Sequence, residues 1–256
     1  MHDQNKVYSH PLYYDIAFGW DPTQEADFYC EAFKRHAGSV RRVLELGCGT
    51  GRLLIELAKR GFYCVGLDIS PEMAKFCARK ARRLGVPVEV LRADMADFHI
   101  SGFDAAYSAI NTVSVLLTDE KLESHYSCVS KALRPGGVYV IDAALNPAPG
   151  DREEWEEERG GLRVRARWEV VSVLSEKLVL DRLRLTVIER GRVTEIMDES
   201  PSRRLSVEDL TELPKRFRLE PVAWYLGPDP KERADTFPQK GRVCVVLRKR
   251  DSADRS

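Results

Sequence analysis

No apolar stretch in this sequence is long enough to cross a bilayer as a helix. The longest run without a charged residue, Ala105 to Thr118, falls short of the about 20 apolar residues a span requires. Excess charge is also missing. Forty Lys plus Arg stand against 40 Asp plus Glu, a formal net charge of zero. That excludes a general basic surface as the means of holding nucleic acid, since such binding rests on neutralising phosphates; a local basic patch stays open. The six cysteines (Cys30, Cys48, Cys64, Cys77, Cys128, Cys244) include no CxxC pair and no His at zinc-ligand spacing. No metal site is expected, and the cysteines read as buried thiols in a reducing compartment. Met1 to Asp15 has neither the apolar core nor the basic lead-in of a secretory leader. The expectation is therefore a cytoplasmic protein with no membrane partner. What is present is ordinary for a globular chain: 256 residues, 43% apolar and 31% charged. A chain of this length buries roughly three quarters of its unfolded surface.

The first half alternates short apolar runs with helical patterns. Val40 to Leu46 ends in Gly47-Cys48-Gly49-Thr50-Gly51, and a helix follows with Leu54, Leu57 and Ala58 on one face and Gly61 at its end. Phe62 to Leu67 is a second strand closing on Asp68. Ser70-Pro71-Glu72 opens a second helix, with Ser as N-cap and Pro at the first helical position. Its buried stripe is Met73, Phe76, Cys77, Ala81 and Leu84. Strands at Val88 to Leu91, Phe103 to Ala109 and Val138 to Ile141 follow, the last two separated by a helix beginning at Thr118. Five strands alternating with helices call for a parallel sheet covered on both faces.

The pattern changes after Asn146. Residues 147–161 are polar and contain the acidic run Glu153 to Glu158, which reads as exposed helix or loop. Then Arg163 to Val170 and Arg182 to Val187 alternate charged with apolar residues, and Val193 to Met197 does so more weakly. Such alternation means antiparallel strands with one wet face. Residues 147–204 are thus expected to form an inserted antiparallel β subdomain between two parts of one core, 1–146 and 205–256. Ser206 to Asp209 caps a short helix, and two last strands lie at Leu219 to Leu226 and Arg242 to Leu247.

The chemistry sits at strand ends. Glycines between a strand and a helix let the backbone approach a ligand, and the helix N-terminus offers free N–H groups. Asp68, about 20 residues further on at the end of the next strand, is placed to accept from both hydroxyls of a ribose. The spacing is G-x-G-x-G preceded by an acid, Glu45. A dinucleotide site favours G-x-G-x-x-G and a pyrophosphate. A carboxylate at Glu45 suits a cationic or zwitterionic ligand instead. A nicotinamide-dependent oxidoreductase is therefore disfavoured.

Through Val43 to Gly51, Gly66 to Ser70, Ala93-Asp94-Met95, Phe103-Asp104 with Asn111 beyond, and Leu133 to Gly137, the sequence resembles the class I S-adenosylmethionine-dependent methyltransferases, in their small-molecule branch. The resemblance runs from about Arg42 to Asp142. It implies an α/β fold with a doubly wound, seven-stranded, mostly parallel sheet whose last strand, here Arg242 to Leu247, is antiparallel. It implies S-adenosyl-L-methionine as cofactor. Gly47, Gly49 and Gly51, with Cys48 and Thr50 between them, would pass the methionine part. Glu45 would brace the loop or meet the amino group through water. Asp68 would hold the ribose with Ile69 against the adenine, and Asp94 and the Met95 N–H would read the adenine edge. Ala109 to Asn111 would line the place where the methyl group leaves. Residues 1–38, with Tyr13, Tyr14, Trp20 and Tyr29, resemble a mobile lid, and Tyr14 or Trp20 would close over the sulfonium; packing of these aromatics against the sheet is the other reading.

The acceptor itself is open between N, O, C and S. Candidates for catalytic work are Tyr14, His99 and Asn111, with His10 and Asp142 as further acids or bases. No DNA partner is expected, because Ser108-Ala109-Ile110-Asn111 stands where an Asn-Pro-Pro-Tyr type motif accompanies amide or base methylation. Arg163, Arg165, Arg167, Arg182 and Arg184 share a sheet face, read as solvated rather than as a site for an anionic substrate. The insertion offers a substrate surface or a homodimer surface. The leading reading is a methyltransferase acting on a small molecule. Action on RNA or protein is the second, and a cofactor-binding partner or sensor without turnover is the third.

Overall fold

The computed structural model describes residues 7–250; the first six residues of the expected N-terminal lid, 1–38, lie outside them. Helices α1 (Pro11–Ala17) and α2 (Thr23–Ala37) precede strand β1 (Arg42–Leu46). The alternating half continues through α3 (Arg52–Lys59), β2 (Tyr63–Asp68), α4 (Pro71–Arg83), β3 (Val88–Arg92), β4 (Phe103–Ser108), α5 (Asp119–Ala132) and β5 (Leu133–Leu145). Strands β6 (Arg152–Arg159), β7 (Leu162–Ser175), β8 (Leu178–Glu189) and β9 (Arg192–Arg203) follow, then α6 (Val207–Thr211), β10 (Leu219–Tyr225) and β11 (Gly241–Lys249).

Seven strands form one sheet in the order β10-β11-β5-β4-β1-β2-β3. Pairings among β1 to β5 are parallel, and β11 runs antiparallel to both neighbours. The order reverses between β1 and β4, the switch point at which open α/β sheets bind ligands beyond their strand ends. Both faces are covered. Leu44, Leu46, Ala106, Tyr139 and Ile141 pack toward α5 on one side, while Val43, Ala105, Tyr107 and Val140 pack toward α2 and α3 on the other.

Local signals set the helix starts. Ser70 Oγ accepts from the Met73 N–H at 3.3 Å with Pro71 in the first turn, and Thr118 Oγ1 accepts from Lys121 N–H at 3.2 Å. Ser206 and Asp209 form a reciprocal capping box on α6. Leu84, expected in the stripe of α4, instead caps its C-terminus and is exposed. The fifth strand begins earlier than expected, at Leu133, whose pairing with Phe103 extends the ladder through the Arg134 to Gly137 turn.

The insertion is a separate four-stranded antiparallel sheet, β6-β7-β8-β9. Here the acidic run departs from expectation: Glu153 to Glu158 is neither helix nor loop but strand β6. Register supplies the reason. Glu154, Glu156 and Glu158 face Arg167, Arg165 and Arg163 across the ladder, while Trp155 faces Ala166 on the other side. Cross-strand charge pairs stabilise a strand that its own residues disfavour. The arginine face is therefore solvated and neutralised by its neighbours.

One histidine couples this core to pH. His125 is fully buried in α5. Met95 O can only accept, so His125 Nδ1 donates to it (2.9 Å) and Nε2 accepts from the Tyr139 hydroxyl (2.8 Å). Burial pushes the imidazole down from 6.5 to about 4. Below pH 6.5 the unfolded chain takes up a proton that the native chain refuses until about pH 4. Stability is thus expected to fall by about 3 kcal/mol across that window. Urea titrations at stepped pH check this, with His125→Gln expected to flatten the slope; an unaltered slope would remove His125 as its cause.

Candidate functional site

The β1–α3 turn is shaped by close approach. Gly47 has φ +72°, and a Cβ there would overlap Thr112 Cγ2; Gly51 has φ +77°, and a Cβ there would overlap Cys77 Sγ. Only glycine meets both the left-handed backbone and the absence of room. Cys48 N–H donates to Leu67 O (2.8 Å), tying the turn to the end of β2.

Asp68 closes that end. Its Oδ2 accepts from Gly49 N–H at 2.7 Å and its Oδ1 from Ser70 N–H at 2.9 Å. Burial raises its carboxyl, and those two N–H groups oppose the rise. A carboxylate has about four acceptor positions, so half remain for a ligand. Next to it, Ile69 is 66% exposed at the cavity wall, a large apolar side chain with nothing over it. Asp94 lies on the same wall, bonded to Ala96 N–H (2.8 Å) and Lys121 (2.9 Å). Burial pushes the Asp94 carboxyl up, but Ala96 and Lys121 together hold it below its usual range. The Met95 peptide is held from behind by His125.

The segment after β4 is strained. Ile110 and Asn111 both sit in the left-handed region, at φ 50° and 56°. Asp142 holds them there: its Oδ2 accepts from Ile110 N–H (3.0 Å) and its main-chain O from Asn111 N–H (2.9 Å). Asn111 Oδ1 accepts in turn from Ala144 N–H (3.0 Å). Arg242 grips Asp142 with two bonds of 2.8 and 2.7 Å. Consecutive non-glycine residues in this region cost on the order of 1–3 kcal/mol each and persist only where surroundings impose them.

The N-terminal aromatics form one wall of the same cavity. Tyr14 stacks on Phe18 at 4.3 Å and Phe18 meets Trp155 edge-on at 5.3 Å. Trp155 Nε1–H donates to Ala17 O (2.6 Å), and Asp15 joins Lys80 of α4 (2.6 Å) to Arg159 of β6 (2.7 Å). The Arg52 guanidinium lies 4.6 Å from the Trp20 ring. Helix α1 thus bridges the main sheet and the insertion. The cleft between them has a volume of about 1590 Å³, above the roughly 300–1,000 Å³ of a single small-molecule site.

Of the residues singled out from sequence, Tyr14, Gly47, Gly49, Asp68, Ile69, Asp94, Met95 and Asn111 line this one cavity. Cys48, Thr50 and Gly51 are buried behind the turn, and Ala109 is buried below the strained segment. Glu45 is 4% exposed and also lies behind the turn, where burial pushes its carboxyl up to about 8, against Tyr107 and Arg52. His99 is exposed and does not line the cavity, His10 stacks on Tyr13, and Tyr29 is fully buried. Sequence reasoning passed over His125 behind Met95, Tyr8 on the cavity wall, and the inner face of the insertion with Trp168, Asp181 and Asp198. Strict alternation in β7 and β8 was the signal available for the last group.

The donor set suits an adenosine-bearing ligand: a carboxylate with spare acceptors for a ribose, an uncovered apolar side chain beside it, and an acid with an ordered peptide beyond. Residues 43–137 match the family described as "Methyltransferase domain". YqeM of Bacillus subtilis (strain 168) is 33% identical over 105 residues, 40% of this chain and 41% of that protein. The dTDP-3-amino-3,4,6-trideoxy-alpha-D-glucopyranose N,N-dimethyltransferase of Streptomyces venezuelae is 28% identical over 137 residues, 52% of this chain and 56% of that one. The chain spans about two fifths of the length of the first curated relatives it matches. Among solved structures, the sugar N-methyltransferase KedS8 from Streptoalloteichus sp ATCC 53650 superposes with a TM-score of 0.76 at 21% identity, covering 96% of this chain and 94% of that chain. This last likeness extends to the insertion and establishes the fold.

Proposed function

We propose, for a chain whose residues 43–137 form a class I S-adenosylmethionine-dependent methyltransferase domain, that the whole protein transfers a methyl group to a small-molecule acceptor held under the insertion. When bound, S-adenosylmethionine would supply an electrophilic methyl group on a sulfonium whose leaving group is a neutral thioether. Asp68 would hold the ribose through its free acceptor positions, Ile69 would cover the adenine, and Asp94 and the Met95 N–H would meet its edge. Gly47 and Gly49 let the chain pass close to the methionine part, Tyr14 and Asn111 wall the reacting end, and the α1 aromatics exclude water. The work left to the protein is alignment and desolvation.

The observation that carries this reading is the single cavity: a cofactor-type wall at the switch point opens, without a partition, into a second compartment beneath the insertion. A concave compartment lined by the inner face of the insertion suits a small acceptor. The curated relative that acts on a dTDP-linked amino sugar supports the same class. No described helix is long and apolar enough to cross a membrane.

Titration calorimetry with S-adenosylmethionine and S-adenosylhomocysteine, with NADH as control, tests the premise. Micromolar binding of the first two and none of NADH is expected. Absence of binding by either would overturn the reading as an enzyme and leave the fold unaffected.

A further inference from the structure

The inner compartment has a charge character that the transfer reaction does not require. Side chains alternate between the two faces of a strand, and the ladder places Trp168 opposite Leu183, Leu183 opposite Asp198, and Asp181 opposite Ser200. All five line the cavity. Asp181 and Asp198 are diagonal neighbours on that face, a relation of roughly 7–8 Å in a sheet. Neither makes a salt bridge among the described residues. The bases along the cavity are mostly engaged elsewhere: Lys121 with Asp94, Lys240 with Asp151, and Arg242 with Asp142. Arg152 is exposed at the start of β6, on the register of the outer face.

Two polar groups there lack partners. Asp181 Oδ1 is buried with no hydrogen bond, and so is the Oγ of Ser202, a residue only 5% exposed. Trp168 and Ser202 lie close enough to Asp181 to oppose the rise that burial gives its carboxyl, yet neither satisfies Oδ1. Buried acceptors without donors cost on the order of 1–3 kcal/mol each, more when charged. Something with several donors and a positive charge would remove that cost. Among the described residues no cluster of three or more His, Cys, Asp or Glu stands ready for a metal ion. An alkylammonium meets the requirement: three N–H donors for Asp181, Ser202 and Asp198, and a charge opposite to that of the two carboxylates.

We propose that the inner compartment is a cation site, and that the acceptor is a small amine-bearing molecule whose ammonium group is held by Asp181 and Asp198 beside Ser202. This rests on the proposed function for the word acceptor; the cation site itself stands without it.

Three ligands of one shape separate charge from fit: cyclohexylamine, cyclohexanol and cyclohexanecarboxylate. Each is titrated into the full chain by calorimetry at neutral pH, with and without saturating S-adenosylhomocysteine, and tryptophan fluorescence gives a second readout. The amine is expected to bind at least tenfold more tightly than the alcohol, with no binding of the carboxylate. Asp181→Asn, and independently Asp198→Asn, is expected to cut the amine-to-alcohol preference below threefold while S-adenosylhomocysteine affinity holds. The second variant keeps the test intact if the first does not fold. Equal binding of amine and alcohol, preference for the carboxylate, no binding of the amine, or full preference in a folded variant would each overturn the cation site. Binding of the amine by a chain that takes no S-adenosylhomocysteine would uphold the site and overturn the proposed function instead.

Discussion

Asp68→Ala is expected to weaken S-adenosylhomocysteine binding by about 100-fold or more. Two losses combine. The ligand's ribose hydroxyls lose a charged acceptor, and the Gly49 N–H, now at 2.7 Å from Oδ2, loses the group that holds the turn in its open shape. Hydrogen bonds to charged groups contribute about 1.5–3 kcal/mol each, and about 1.4 kcal/mol is tenfold in affinity. Asp68→Asn separates the two losses. It keeps one carbonyl acceptor for Gly49 but brings an NH2 where an acceptor was needed, so an intermediate loss is expected. Calorimetry on folded variants checks both. Unchanged affinity in Asp68→Ala would remove Asp68 from the site and leave the β2 end with a structural role alone.

Gly47→Ala is expected to abolish measurable cofactor binding and to lower the thermal midpoint. The new Cβ carries a left-handed backbone penalty on the order of 1–2 kcal/mol and overlaps Thr112 Cγ2. Thr112 cannot swing away freely, because its Oγ1 donates to Ala109 O at 2.6 Å. This provides an internal control. Thr112→Ser removes Cγ2 and keeps that hydroxyl. The double variant is expected to regain the part of stability lost to overlap and to retain the backbone part. If Thr112→Ser restores nothing, the overlap is not the cause. If Gly47→Ala binds S-adenosylhomocysteine normally, the turn does not need glycine here.

Both predictions rest on residues visible in the sequence, and that is no accident of choice. Gly47 and Asp68 belong to one strand–turn–helix–strand unit: the turn residues are consecutive, and the next strand end returns about 20 residues later to bond the turn. Alternation of apolar runs with capped helices set the parallel sheet, and period-two charge patterning set the antiparallel insertion. Where the reading went astray, a non-local partner was responsible. Glu153 to Glu158 has the composition of a solvated loop, and it becomes β6 because arginines of β7 lie opposite. His99 follows β3 and so drew notice as a base, yet its side chain points to solvent. His125, inside a helix with no motif around it, is the histidine that positions the Met95 peptide. Glu45, read as bracing the glycine turn or meeting the ligand's amino group through water, lies buried behind that turn with its carboxyl raised by burial.

The sequence by itself therefore determined most of the elements and their order, because each depends on local turn and cap signals or on the repeat of a strand or helix. Only the tertiary structure decided which face of the insertion looks inward. Alternation in β8 says that Asp181 and Arg182 point to opposite sides; it does not say which side is covered. Helix α1, tied to β6 through Trp155 and Asp15, closes the face that carries Asp181 and leaves the arginines in water. That closure removes solvent from an unpaired carboxylate and turns an ordinary acidic position on a strand into a site that asks for a cation.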